Sequence, residues 1–279
     1  MRPGEWASGA ILDAIDPCRI FARNGQTPYP YQTQLLRNRP HRGLVAWGRQ
    51  TGKSTAVSAL VLSQVFYRAP SLVVVSSFAE RQSKELLLKA MELYRPYAAE
   101  FPLTVDAKNE KGFANGSRVV ALPGKADSAR SLSGASLVVL DEAGWTTDEL
   151  RVAIDPLLST LDGDLIAMST PPEEAGGWWW RTWTQNGRLG AEEAVERADD
   201  GWLRTFVPST SCPSISPEFL ESTRADFDRM GKRREFEREY LCRFPDAHGN
   251  DDNPRPFTPE ILDMVFGADV LADMPGARA

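Results

Sequence analysis

The 279-residue sequence predicts an α/β fold with a mostly parallel central sheet flanked by helices, organised around a phosphate-binding loop. Three observations carry this prediction. Leu44-Val45-Ala46-Trp47 is a short apolar run of buried-strand type, followed at once by Gly48-Arg49-Gln50-Thr51-Gly52-Lys53-Ser54-Thr55 and then by a helical pattern. Strand-like and helix-like stretches keep alternating through 71–76 and 79–97, the order that builds parallel sheets. Finally, Leu137-Val138-Val139-Leu140 runs into Asp141-Glu142, which sets two adjacent carboxylates at the C-terminal end of a buried strand, where open α/β sheets bind ligands.

The loop has the residue types that a nucleotide phosphate requires. Gly48, Arg49, Gln50, Thr51 and Gly52 supply backbone N–H groups to wrap the phosphates, and the helix beginning near Lys53 adds its positive end. Lys53 reaches the β and γ oxygens, the Ser54 hydroxyl ligates Mg²⁺, and Thr55 completes the motif. The common form of this loop begins with a glycine where Trp47 stands, so the string is a deviant version. Alone it also fits a strand-to-helix turn that happens to carry a lysine. The Asp141-Glu142 pair alone also fits a strand followed by a helix cap. Together they favour a nucleotide site in which one carboxylate holds the Mg²⁺ shell and the next polarises a water.

Composition sets bounds on the rest. Hydrophobic content of 42% and charged content of 25% are ordinary for a globular protein, and the length suits one large α/β domain, with or without an appendage. No run approaches the ~18–20 apolar residues of a membrane span, and Met1-Arg2-Pro3-Gly4-Glu5-Trp6 has no signal-peptide core, so a cytosolic protein is expected. Cys18, Cys212 and Cys242 are far apart and accompanied by only two histidines, His41 and His248, which predicts reduced thiols and no zinc site. The net charge of -6 excludes a uniformly positive surface but leaves room for a local basic one.

In chain order, Ile11 to Arg23 reads as a weakly amphipathic helix before a turn at Asn24-Gly25, and a second helix starts within Tyr29-Pro30-Tyr31-Gln32. Gln32 is either a solvated helix residue or a two-pronged partner for an adenine edge, with Tyr29 or Tyr31 stacked on the base. After the loop, Val57, Leu60, Val61, Val65 and Phe66 form a helical stripe. Leu103-Thr104-Val105 and 117–122 are strand-like, and Asn115-Gly116 is a strong hairpin signal, which predicts an antiparallel insertion on the sheet edge. The polar stretch 124–133 reads as a loop carrying Arg130, either a solubilising charge or an arginine that reaches the nucleotide of a neighbouring subunit.

A helix over 147–160 precedes the buried strand Asp164-Leu165-Ile166-Ala167-Met168, which ends in the hydroxyls of Ser169 and Thr170 and is stopped by Pro171-Pro172. Those hydroxyls either sense a γ-phosphate or simply end a strand. Trp178-Trp179-Trp180 cannot all share one helix face, so at least one must be exposed or packed against an adjoining element. Trp202 to Val207 alternates as a last strand. Over 218–243 seven basic side chains meet seven acidic ones, which reads as a solvated, salt-bridged helix. Beyond Phe244 a linker composition at 249–254 precedes a short helix over 259–266.

With these motifs in place, the chain resembles a known family. The GRQTGKS loop at 48–54, VVVSSFAERQ at 73–82, the Asn-Gly hairpin, ARSLSGASLVVLDEAG at 129–144, IAMSTPP at 166–172 and the closing FEREYLCRF at 236–244 are together similar to the ATPase half of a tailed-bacteriophage terminase large subunit. The similarity runs from about Tyr29 to Phe244. It implies a P-loop NTPase of the additional-strand, catalytic-glutamate type, with ATP and Mg²⁺ as cofactors.

By position, the resemblance implies that Gln32 contacts adenine and that Arg49 and Lys53 hold phosphates. It implies further that Ser54 and Asp141 hold Mg²⁺, that Glu142 activates water, and that Ser169 and Thr170 form the coupling motif. Arg130 matches an arginine that the family often follows with glycine, whereas Ser131 follows it here. The implied setting is a homo-oligomeric ring in the host cytoplasm, driving double-stranded DNA into a procapsid with a portal protein and a small terminase subunit as partners.

The expected division is 1–27 as an N-terminal helical extension, 28–244 as the ATPase domain and 245–279 as an acidic linker and tail. The family's large subunits continue into a metal-dependent nuclease, and the tail is too short for one, so the expectation is no DNA cleavage by this chain: it is either an isolated ATPase piece or is served by a nuclease on another chain. A helicase-like translocase and a nucleotide-gated assembly module with little hydrolysis are the other readings. Strand displacement marks the first, and ATP-dependent assembly without phosphate release marks the second.

Overall fold

A computed structural model describes residues 11–197 and 199–245. The expected linker at 249–254 and helix over 259–266 lie outside the described residues, as does the N-terminal decapeptide.

Four apolar runs form the middle of the sheet, as their composition requires. They are β1 (Arg42–Trp47), β2 (Leu72–Ser77), β6 (Leu137–Asp141) and β7 (Asp164–Ser169), buried along nearly their whole length. With β3 (Leu103–Asp106), β4 (Glu110–Phe113), β5 (Arg118–Pro123) and β8 (Leu203–Val207), the order across the sheet is β3-β4-β5-β2-β6-β7-β1-β8. From β5 to β8 all neighbours are parallel, and only β3–β4 and β4–β5 are antiparallel.

Alternation along the strands sorts their side chains between two cores. Val45, Val73, Val75, Val139, Ile166 and Met168 face one layer, which contains α3 (Lys53–Tyr67) and α4 (Glu80–Tyr94). Leu44, Ala46, Val74, Val138, Leu140 and Ala167 face the other, with α6 (Asp148–Ser159) and α7 (Trp178–Thr184). The remaining described helices are α1 (Arg19–Arg23), α2 (Pro30–Asn38), α5 (Ala126–Arg130), α8 (Ala191–Glu196), α9 (Pro217–Arg229) and α10 (Arg233–Leu241).

Several expectations change in detail. Helical structure over 11–23 is interrupted at Asp16-Pro17, because proline cannot continue the ladder, and Ile20 and Phe21 of α1 enter the main core. The stripe expected on the loop helix becomes an all-round burial from Ala56 to Phe66, since α3 is enclosed by the sheet, α2 and α4. The edge insertion is two successive hairpins. Asn115-Gly116 turns β4 into β5, and β5 then pairs in parallel with β2.

The stretch around Arg130 holds the short helix α5 rather than only a loop. The charged stretch 217–243 is two helices separated at Gly231, which has φ +69°. Its apolar residues, with Phe236 stacked on Tyr240 at 5.0 Å, make a small core of their own.

All three consecutive tryptophans are buried, which adjoining elements make possible. Trp178 Nε1 donates to Thr146 Oγ1 at 2.9 Å. Trp179, Trp183 and Phe244 form a three-ring cluster, with centroids 5.5 Å (Trp179–Trp183), 5.6 Å (Trp179–Phe244) and 5.2 Å (Trp183–Phe244) apart. Among the described residues, no helix is long and apolar enough to cross a membrane.

Candidate functional site

The register of the parallel strands brings their C-terminal ends to one edge. Ser77 of β2 is level with Asp141, Asp141 with Met168, and Ala46 of β1 with Ser169. Beside these ends lies a cleft of about 610 Å³, lined by the whole loop from Gly48 to Thr55 and by Asp141, Glu142 and Thr170.

Trp47, which replaces the usual leading glycine, is fully buried at the end of β1. Its indole donates to Thr205 of β8 at 3.0 Å and meets the Tyr31 ring edge-on at 4.9 Å. Gly48 is required for room rather than for backbone freedom. A Cβ there would stand 2.5 Å from Ser209 Oγ and 2.8 Å from the Tyr240 carbonyl. Gln50 (φ 62°) and Gly52 (φ 79°) both adopt the left-handed conformation, which turns successive N–H groups inward. Gly52 caps α3 with no side chain accepting from the first turn, so those N–H donors face the cleft free of internal partners. Thr51 Oγ1 braces the loop by donating to the Gly48 carbonyl at 2.8 Å.

Across the cleft, Asp141 is largely buried, and burial first and the Glu142 charge second push its carboxyl up to about 6, against the opposing pull of Lys53. Glu142 is left-handed (φ 50°), an uncommon state for a non-glycine residue and one found at functional sites. Ser169 Oγ donates to Glu142 Oε2 at 3.4 Å, linking the end of β7 to the acidic pair.

The Gly48 and Arg49 N–H groups, expected to wrap phosphates, instead donate to the Val207 and Glu239 carbonyls at 2.8 and 2.9 Å. The donors at the start of α3 and Lys53, facing a carboxylate whose charge lacks full compensation, fit a triphosphate with a divalent cation. No cluster of three or more His, Cys, Asp or Glu that could hold a metal exists among the described residues. Mg²⁺ commonly takes one or two protein oxygens and completes its shell from phosphates and water, and Ser54 and Asp141 supply that number.

Not every residue singled out in the sequence lines the cleft. Gln32 is buried behind the loop, its amide oxygen accepting from Tyr29 N–H at 2.8 Å and its amide nitrogen donating to the Gly52 carbonyl at 3.1 Å. In this arrangement it braces the loop. Arg130 is 64% exposed on α5, paired with Asp127 at 3.1 Å and outside the cleft. Conversely, sequence reading missed Glu239 of α10, which is buried, lines the cleft and pairs with Arg49. Its signal was a carboxylate sharing the inward face of an amphipathic helix with Phe236 and Tyr240.

No protein-family model matches the chain. The chain is 26% identical over 279 aligned residues to the terminase large subunit of Thermus virus P23-45, an alignment covering 93% of this chain and 55% of the relative. It thus spans about half the length of the curated relatives it matches. Its fold superimposes on the large terminase ATPase domain of Thermus phage P74-26 with a TM-score of 0.67 at 20% identity, covering 82% of this chain and 99% of that one. A large terminase from a thermophilic bacteriophage, solved in complex with ADP, gives a TM-score of 0.54 at 13% identity over 81% of this chain and 52% of its own. The fold is that of the large-terminase ATPase domains, as the sequence resemblance implied.

Proposed function

We propose that this chain is the ATP-hydrolysing motor part of a viral DNA-packaging terminase, coupling Mg²⁺-dependent ATP hydrolysis to translocation of double-stranded DNA into a procapsid. The observation that carries the reading is the single cleft in which the Gly48–Thr55 loop faces Asp141 and Glu142. The sequence likeness to curated terminase large subunits and the nucleotide-bound fold neighbours support it.

In this reading Lys53 and the inward N–H groups bind and orient the β and γ phosphates in the ground and transition states. Glu142, fixed by its left-handed backbone and by the Ser169 hydroxyl, accepts the proton of the attacking water. Ser54 and Asp141 would hold Mg²⁺, which would supply charge neutralisation at the phosphate oxygens. Ser169 and Thr170 sit at the end of a strand whose neighbour carries Asp141, so the acidic pair and the coupling hydroxyls report on one another.

Arg130, exposed and away from this chain's own cleft, serves the nucleotide of a neighbouring subunit in a homo-oligomeric ring. Double-stranded DNA, the portal protein, the small terminase subunit and a nuclease complete the machine, which works in the host cytoplasm.

Phosphate release from Mg·ATP, measured across protein concentrations with and without linear double-stranded DNA and portal-bearing procapsids, tests the proposal. Turnover should rise with protein concentration and again with DNA and procapsid. Turnover indifferent to all three contradicts the motor, and ATP-dependent assembly without phosphate release supports the nucleotide-gated module instead.

A further inference from the structure

Glu239 is a buried carboxylate with three donors around it. Arg49 Nε reaches its Oε2 at 2.7 Å, Thr170 Oγ1 approaches the same oxygen at 3.4 Å, and Arg238 Nη1 contacts Oε1 at 2.7 Å. The Glu239 backbone joins in, its carbonyl accepting the Arg49 N–H at 2.9 Å. Arg238 is itself fixed, its guanidinium 5.0 Å above the Trp145 ring and donating to the Pro171 carbonyl at 3.3 Å. A charge taken this far out of water persists only when it is paired, and this one has a cation against each oxygen and hydrogen bonds to Oε2.

The geometry at the other end is informative. Arg49 is held through Nε alone, and its side chain is 59% exposed at the mouth of the cleft, whereas that of Glu239 is 8% exposed. Among the described residues its two terminal guanidinium nitrogens have no partner. A guanidinium anchored by Nε presents that terminal pair as a fork, the arrangement that matches two phosphate oxygens.

We propose that Glu239 is a positioning residue for Arg49, anchoring Nε so that the guanidinium fork faces the phosphates of a bound nucleotide. This deepens the nucleotide reading above and rests on it. The residue comes from α10, far along the chain from the loop, so the phosphate site is complete only when α10 is docked.

The test is equilibrium binding of Mg·ATP to wild type, Arg49→Ala, Glu239→Ala, Glu239→Gln and the Arg49→Ala/Glu239→Ala double variant, each also followed by thermal melting. Arg49→Ala and Glu239→Ala should each weaken binding about tenfold, the size of one lost charge-assisted contact. The double variant should bind no worse than Arg49→Ala alone, because the two residues act through one guanidinium. Glu239→Gln, which keeps an oxygen for Nε–H, should recover part of the loss. If melting shows that Glu239→Ala is poorly folded, the comparison of Glu239→Gln with and without Arg49→Ala decides. Penalties that multiply in the double variant, or wild-type affinity in Glu239→Ala, overturn the positioning role alone. A wild-type protein that binds no Mg·ATP overturns the nucleotide reading and this inference with it.

Discussion

The Gln32 side-chain amide donates to the carbonyl of Gly52 at 3.1 Å, directly beneath the residue that caps the loop helix. Its oxygen is occupied by the Tyr29 N–H at 2.8 Å, so both halves of the amide are spent on backbone. A glutamine so placed holds the αL turn at Gly52 and, with it, the N–H groups that face the cleft. One of its two N–H donors and one of its two lone pairs are engaged in this way.

Removing this brace should therefore act on phosphate affinity and not on base choice. Gln32→Ala removes both contacts; the Gly52 carbonyl keeps the Ala56 N–H at 3.1 Å, while the Tyr29 N–H loses its Gln32 acceptor, at a cost of about 1 kcal/mol. Binding of ATP and GTP should weaken by similar factors, as measured by calorimetry. A selective loss of ATP affinity would restore adenine recognition to Gln32.

Asp141 makes a pH-dependent prediction. Its carboxyl is raised to about 6 from an ordinary value of 3.8, so its ionised form costs the ligand-free fold stability above pH 6. Below about pH 4 the group is protonated whether folded or not, and the cost disappears. Asp141→Asn should therefore be the more stable protein at pH 8, by on the order of 3 kcal/mol, with the difference fading between pH 6 and pH 4. Denaturant titrations at several pH values would show it, and a difference that does not vary with pH would contradict the account.

Glu142→Gln keeps the size and a hydrogen-bond acceptor for Ser169 but cannot take a proton from water. Mg·ATP affinity should change little while phosphate release falls by about 10²–10⁴. Near-normal turnover would remove Glu142 from the proposed role.

Trp179 tests the packing that closes the second core. It is 1% exposed and packs against both Trp183 and Phe244, with its indole N–H toward the Ala167 carbonyl of β7. Trp179→Ala should cost about 3–5 kcal/mol in urea unfolding. A loss below about 1 kcal/mol would mean that α7 contributes little to holding the sheet.

The legible parts of this fold were those where local pattern and burial agree. Four apolar runs became the four central strands, and the spacing from Thr147 to Thr160 became α6, whose Thr147 hydroxyl caps Leu150 N–H. β4 was not legible because Glu110-Lys111-Gly112-Phe113 has little strand character; it is held by pairing on both sides, with Gly112 admitting Val105.

The loop and the acidic pair could be read because each is contiguous in sequence. The backbone contacts of Gln32 could not, since they depend on which groups lie behind the loop. Glu239 was hidden for the opposite reason: a segment of balanced charge reads as solvated unless the inward face of its helix is already known.

The most direct test of the account is calorimetric titration of Mg·ATP into the wild-type protein and into Lys53→Ala. The account predicts saturable binding by the wild type and affinity weaker by about 10–100-fold in the variant, with both proteins melting alike. No heat from the wild type, or equal affinity in Lys53→Ala, would contradict it.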